Sequence, residues 1–524
     1  MTVEIVSVPP QPAPSRPATA VAASPAVAGR GWRAVVRRCV LVPLVVLIPL
    51  VALTPGADHR FNVYANGARY AGHPWRLIVA AADSVPPFLR QGNFRPLGRL
   101  VEWSLDVAAF ALTALLGVPA NISLRVVSFG AAMVLTLTAV VFAESVTNRG
   151  RLFASPPSVL AATLPFAVGA GFVAAGRTST TVLFGGLYFL SAALVLAVAA
   201  WICRGPRPAL LVVVAGAALA AFNEVAALAL PLATVAVLLR ARIVLGLGRR
   251  ETLRHARPAA LLWLGFLPVF GPVRAIIYRH CAGGGCYTGS DIALPGAAAA
   301  LPNRLVSWLP PLMWQRAADG SQTRLVAALP VLALLVLAVL AWRAARQLPK
   351  LATLDRRQAL GLATVAAVAL LLGGTLAALN ADVQAFARLG RWGQGWRDSG
   401  LTTAAGSVLL LSLLAVRRRA CAAAALVPLV VAGAVAVAAN QGFRDSSAAG
   451  RYPFLHDRIA QEVADFDPTP AGDARRCTLR AQFIKTSTAN HHGVDAPELE
   501  RFDVSLNRAT ARLHGRRFCS QAPR

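Results

Sequence analysis

Charge is scarce in this sequence, and acidic charge scarcer still. Of 524 residues only 14% are charged, with 52 Lys and Arg against 23 Asp and Glu. Soluble globular domains carry about a quarter charged residues, so the composition argues against a purely water-soluble fold. Lysine is nearly missing, with Lys350 and Lys485 the only two. A codon bias toward Arg and Ala accounts for that better than a functional demand. The signatures of common soluble enzymes are missing too: there is no Walker loop, no GxGxxG after a strand, no GxSxG and no HExxH. Any active site must therefore be assembled from polar residues at the ends of apolar segments.

Those apolar segments dominate the chain. Eleven runs rich in Ala, Leu and Val span Arg38–Thr54, Leu124–Ala143, Pro157–Ala175, Val182–Ile202, Ala209–Phe222, Val225–Leu239, Ala259–Ile277, Leu325–Leu340, Leu360–Leu379, Thr402–Val416 and Ala420–Ala439. Their length and composition indicate an all-α polytopic membrane protein with about 11 transmembrane helices. The net charge of +29 sits in short arginine blocks between these runs. That is the pattern of cytoplasmic membrane loops, so no nucleic-acid partner is expected. Residues 1–30, rich in Pro, Ala and Ser, read as a disordered cytoplasmic tail. The run that follows has no small-residue cleavage site before its polar loop, so it reads as a retained first span in the transmembrane domain 31–439.

The arginine blocks assign sidedness. "RGWRAVVRR" precedes the first span and places the N-terminus in the cytoplasm. Thr147–Arg151, Cys203–Pro208, Arg240–Arg257, Trp342–Arg357 and Arg417–Arg419 follow suit as short basic loops. The 31 residues Ala209–Leu239 would measure about 46 Å as one helix, against a hydrocarbon core of about 30 Å. Both ends are basic, so the segment reads as two short spans turning outside at Phe222-Asn223-Glu224. The stretch "RPLGRLVEWSLDVAAFALTALLGVP" carries Arg95, Arg99, Glu102 and Asp106. If it crossed the bilayer, every later basic block would move outside. It therefore reads as an interfacial helix over about 96–118, within an exterior first loop 55–125.

With that sidedness, Cys281, Cys286, Cys477 and Cys519 all fall outside, where "CAGGGC" can close a small loop and Cys477 with Cys519 can staple the tail. No Cys or His pair has zinc-ligand spacing nearby, and no metal site is nominated. The tail 440–524 reads as a small extracytoplasmic α/β domain. "PFLHDRIAQEVADF" has helical spacing, "CTLRAQFI" alternates like a strand, and "ERFDVSLNRATARLHGRRFC" adds a strand or helix.

Three polar places mark the outer ends of the spans: Asp58 in "PGADHRFNVY", "FRPLGRL" with Arg95, and Asn223-Glu224 in "FNEVAALALPLA". Ionisable groups near membrane depth are costly and face a cavity or partner. Each also has a plainer reading: a solvated acid for Asp58, an anchor of the interfacial helix for Arg95, and a salt bridge between helices for Glu224.

Their order resembles the GT-C superfamily of integral-membrane glycosyltransferases, particularly the branch related to protein O-mannosyltransferases. That branch shows an acidic pair after the first span, an "RPL" segment and a "KE…LP" hairpin. Here the pair is Asp58-His59 and the "KE" is Asn223-Glu224, over roughly Arg38–Leu239. The resemblance implies transfer of a sugar from a polyprenyl-phosphate donor in the cell membrane to an extracytoplasmic acceptor glycan, lipid or protein. Asp58 would be the general base, and Asn223 and Glu224 would position the acceptor or the surroundings of Asp58. Arg95, Arg177, Arg274 and Arg279 are the external candidates for neutralising the donor phosphate. With one carboxylate where the family often has two, the need for a divalent cation stays open. Two other readings also stay open: a polytopic transporter or flippase, and a catalytically inactive envelope scaffold of the same fold.

Overall fold

The computed structural model describes residues 25–54, 61–183, 185–281, 286, 292–318, 328–414, 418–448, 451–490 and 496–521. The chain opens with α1 (Pro25–Leu47), which starts inside the stretch read as a tail. A π-turn Val63–Gly67 leads through α2 (Ala68–Tyr70), α3 (Arg76–Asp83) and α4 (Val85–Arg90) to α5 (Pro96–Leu116). The bundle continues with α6 (Ala120–Thr147), α7 (Val159–Ala170), α8 (Thr180–Leu183), α9 (Leu187–Cys203), α10 (Ala209–Ala220), α11 (Ala229–Leu239) and α12 (Arg249–Cys281). Two short helices, α13 (Ala297–Val306) and α14 (Pro310–Ala318), precede α15 (Ala328–Ala345) and α16 (Arg356–Ala378). Then come α17 (Ala381–Arg388), α18 (Ser399–Leu414) and α19 (Arg419–Ala448). The tail is α20 (Arg451–Ala464), α21 (Pro470–Asn490) and α22 (Ala496–His514).

Each of the eleven apolar segments overlaps a helix among the described residues. Among the described residues six helical stretches are long and apolar enough to cross a membrane: Ala120–Thr147, Ala226–Val244, Arg249–Cys281, Ala328–Lys350, Arg356–Ala378 and Arg419–Ser447. Four more are apolar but shorter, among them Val159–Ala170 and Leu187–Cys203. The chain is thus an all-α membrane protein.

The arginine blocks gather at one end of the bundle. Arg38 donates to Gln347 Oε1 at 3.0 Å, Arg149 pairs with Asp355 at 3.1 Å, and Arg240 donates to Asn148 O at 2.9 Å. Arg419 reaches Leu351 O at 3.0 Å and Arg204 reaches Gly150 O at 2.5 Å. At the opposite end, here the crown, the buried Arg125 guanidinium donates to Leu53 O, Thr54 O and Thr181 O at 3.0–3.2 Å. One side chain thereby ties the end of the first span, the start of α6 and the turn before α9. Asn440 makes a similar knot, donating to Val46 O and Phe172 O at 2.9 and 3.0 Å.

Helix α5 lies across the crown. At its start Leu97 N–H donates to Ala221 O at 3.0 Å, on the α10–α11 turn; near its end Thr113 donates to Ser123 Oγ at 2.9 Å, on the first turn of α6. Both ends sit on one face, so the helix does not pass through the bundle. Gly117 closes it in the left-handed region, φ +63°, which a side chain would disfavour. The chain then re-enters as α6.

The tail corrects the sequence reading. "CTLRAQFI", expected as a strand, lies within α21, and no strand occurs among the described residues. Its alternation of apolar and polar residues also contains Leu479 and Phe483 one helical turn apart. Burial of that pair with Phe502 and Leu506, likewise one turn apart on α22, favours helix. The tail is helical, not α/β. Its apolar core is shared with the first loop and α5: Phe61, Tyr64, Ala109 and Phe110 belong to the same cluster as Ile459, Phe483 and Phe502. Phe483 and Phe502 stack at 4.2 Å, with Phe61 edge-on to both. Cys477 and Cys519 are joined, as are Cys281 and Cys286; Cys39, Cys203 and Cys421 are free thiols.

Candidate functional site

Pro96 suits the first helical position of α5 because its missing N–H would have no partner there. The "RPLG" segment then presses on the α10–α11 turn. A Cβ on Gly98 would lie 2.3 Å from Phe222 O, so only glycine allows this approach. Asn223 is buried and works as a knot. Its Oδ1 accepts from Ala226 N–H at 2.9 Å and its Nδ2 donates to Ser191 Oγ on α9 at 2.7 Å. Glu224, half-buried, shares a cleft with Asn223 and with Arg274, Phe266 and Phe270 of α12. The Arg274 guanidinium stands 5.2 Å from the Phe270 ring centre. The cleft holds about 20 Å³, room for roughly one water.

Beside the cleft the charges alternate. Arg95 and Glu102 pair at 3.8 Å on α5. Tyr188, on the first turn of α9, lies within electrostatic reach of Arg397, Glu224, Arg95 and Glu102. Arg397 stands over the rings of Tyr188 and Trp396, 5.8 and 5.3 Å from their centres. Arg397 is thus the cation stationed over the buried Tyr188 ring.

Asp58 lies outside the described residues, but its flanks are described. On one side Thr54 is held by Arg125; on the other Phe61 enters the tail core. Thr54 Oγ1 donates to Asp457 Oδ1 at 2.8 Å, and Asn121 Nδ2 donates to the same oxygen at 2.9 Å. Burial pushes the Asp457 carboxyl above its ordinary range. Helix α20 therefore brings a carboxylate to Thr54, four residues before Asp58 in the sequence. The chain matches no family model, no curated protein and no solved structure.

Of the nominated residues, Arg95, Asn223, Glu224 and Arg274 come together at the cleft or its margin. Arg177 lines a different cavity, and Arg279 is exposed on the last turn of α12. Among the described residues no group of three His, Cys, Asp or Glu is placed to hold a metal ion. Tyr188, Arg397 and Asp457 were not singled out from the sequence. The signal for Arg397 was there in "GRWGQGWRDSG", a polar, aromatic and glycine-rich stretch between two apolar runs.

Asp106, on the buried side of α5, accepts from Asn66 Nδ2 at 2.8 Å. Burial raises its carboxyl well above the ordinary 3.8, against that hydrogen bond. A carboxyl raised in the fold binds its proton more tightly there than in the unfolded chain. Stability is therefore fully present below pH 3.8 and falls as pH climbs from 3.8 through the raised value. We expect Asp106→Asn to flatten that fall and to raise the thermal midpoint at neutral pH. Thermal midpoints in detergent from pH 4 to 8 check it; an unchanged pH slope in the variant would count against the assignment.

Proposed function

We propose that the chain is a GT-C-type glycosyltransferase of the cell membrane, moving a sugar from a polyprenyl-phosphate donor to an extracytoplasmic acceptor. The reading is supported by the charged groups at the crown, namely the Arg95–Glu102 pair, Arg397 over Tyr188, and Glu224 in one cleft with Arg274, at the same end of the bundle as Thr54, four residues before Asp58. By the positive-inside rule the arginine-rich end is cytoplasmic. The crown, with both disulfides, then faces an oxidising exterior. In this reading the eleven apolar helices all span, the N-terminus is inside and the C-terminus outside.

The chemistry follows from the layout. Asp58 takes the proton of the acceptor hydroxyl as its oxygen bonds the anomeric carbon, and the bond from that carbon to the phosphate oxygen breaks. The phosphate, arriving sideways from the bilayer, meets Arg274 on α12. Only 17% of the most apolar stretch of α12 is buried in the bundle, so the helix borders lipid. Glu224 and Asn223 shape the acceptor side. A transporter would place its charges near mid-bundle, whereas the cluster described here sits at one end. The inactive scaffold is favoured by one observation: a cleft of about 20 Å³ admits no sugar unless α12 shifts.

The test is direct. Membranes containing the protein, given radiolabelled polyprenyl-phosphate mannose, glucose or arabinose, should pass label from the lipid to an acceptor fraction. Absence of transfer with all three, with the protein intact, favours the scaffold; flux in proteoliposomes without group transfer favours the transporter.

A further inference from the structure

Helix α12 changes character part-way along. Its buried residues, Thr252, Pro258, Ala259, Leu262, Gly265 and Phe266, all come before Leu267, and from 267 to 281 no residue is buried. The first part is clamped to its neighbours. A Cβ on Gly265 would lie 1.9 Å from Val213 O, and one on Gly216 would lie 2.1 Å from Leu262 O, so the backbones of α10 and α12 touch. Trp263 Nε1 also donates to Thr234 Oγ1 of α11 at 3.1 Å. Just past this clamp the chain reads Pro268-Val269-Phe270-Gly271-Pro272. Pro268 and Pro272 have no N–H to offer Leu264 O and Pro268 O, and each ring crowds the carbonyl one turn back. Gly271 has open space where a Cβ would stand, so packing does not demand glycine there. Two missing rungs in so short a stretch make it the place where the helix bends most easily.

We propose that residues 267–281 of α12 form a flap, hinged between Pro268 and Pro272, that swings toward the lipid and opens the cleft around Glu224. Val273, Arg274 and Ile277, all beyond or at the end of the hinge, line that cleft together with Asn223, Glu224 and Ala227 of the α10–α11 turn. The tip of the flap rests on the α4–α5 turn. There a Cβ on Gly92 would lie 3.0 Å from Cys281 Sγ and 3.3 Å from Cys286 Cβ, so the disulfide ring sits directly on the glycine. Closed, the cleft has room for roughly one water and admits no organic molecule. Only 17% of the most apolar stretch of α12 is buried, so an outward swing breaks few protein contacts while Gly216 and Gly265 hold the base. The flap serves the same cleft as the proposed sugar transfer, but it rests on the build of the helix and not on that activity.

The experiment uses the full chain in phosphatidylcholine nanodiscs, without any sugar donor and with the exposed Cys421 replaced by serine. Ala227→Cys places a reporter thiol inside the cleft, which a charged maleimide reaches only when the flap is open. It should react at a measurable rate. The stiffened variant, Pro268→Ala with Gly271→Ala and Pro272→Ala, restores the helical rungs at exposed positions and should slow that labelling by about tenfold or more. Leu389→Cys, exposed after α17, should label equally in both backgrounds, which shows that the fold is intact. No labelling of Ala227→Cys, a rate unchanged by stiffening, or an equal slowing at Leu389→Cys overturns the proposal. Because no donor is present, failure of the flap and failure of sugar transfer are read separately.

Discussion

Replacing Asp58 with alanine should reduce sugar transfer by about 10²–10⁴-fold, the range lost when a positioned general base is removed. Assembly should survive, because the described supports of that segment lie in its flanks. Arg125 holds Leu53 and Thr54 through their backbone carbonyls, and Phe61 packs among Phe483 and Phe502. None of these contacts uses the Asp58 carboxylate. The comparison variant is Asp457→Asn. Its carboxylate is occupied by Thr54 and Asn121, so it acts as a positioning residue, and the asparagine variant keeps one acceptor oxygen for both donors. We expect a rise in KM or a shifted pH profile from it, with kcat falling less than in Asp58→Ala. Equal transfer by Asp58→Ala and wild type would remove Asp58 from the chemistry and leave Asp457 as the carboxylate to examine.

The largest stability effect should come from Arg304. Its side chain is 1% exposed and that of its partner Asp398 is 3% exposed, with 2.6 Å between Nη2 and Oδ1; Nη1 donates to Gln394 O at 2.6 Å. A buried pair adds little net stability over an apolar pair, yet losing one member strands the other charge without water. Arg304→Leu should therefore cost about 3–5 kcal/mol. The double variant Arg304→Leu with Asp398→Leu should recover more than half of that loss. Thermal unfolding in detergent measures both. A single variant within about 1 kcal/mol of wild type would mean that water reaches Asp398. The effect bears on function, because the strand of chain that carries Asp398 also carries Arg397 and Trp396 at the crown.

The bundle was readable because long apolar runs and arginine blocks are local signals. The runs overlap helices, and the blocks meet through contacts such as Arg38 with Gln347 and Arg240 with Asn148. Helix α5 was legible as a helix for the same reason, since Pro96–Leu116 falls within one apolar stretch closed by Gly117. The tail was misread at "CTLRAQFI" because an eight-residue window supports both a period of two and an i, i+4 pair. Only the partner surface, Phe61 and Phe502, distinguishes them. Tyr188, Arg397 and Asp457 stayed hidden because each gains meaning from residues far away in the chain. Asp457 meets Thr54 across 403 positions and Asn121 across 336.

That last span of sequence has a consequence for biogenesis. The segment with Thr54 and Phe61 leaves the ribosome early, yet its aromatic and carboxylate neighbours belong to the final helices. Until α20–α22 have been made, Phe61 and Thr54 lack their native counterparts, so a nascent or C-terminally clipped chain presents an unfinished segment. The aromatic core around Phe61 thereby becomes the last part of the fold to close, although the segment that opens it is among the first to be made.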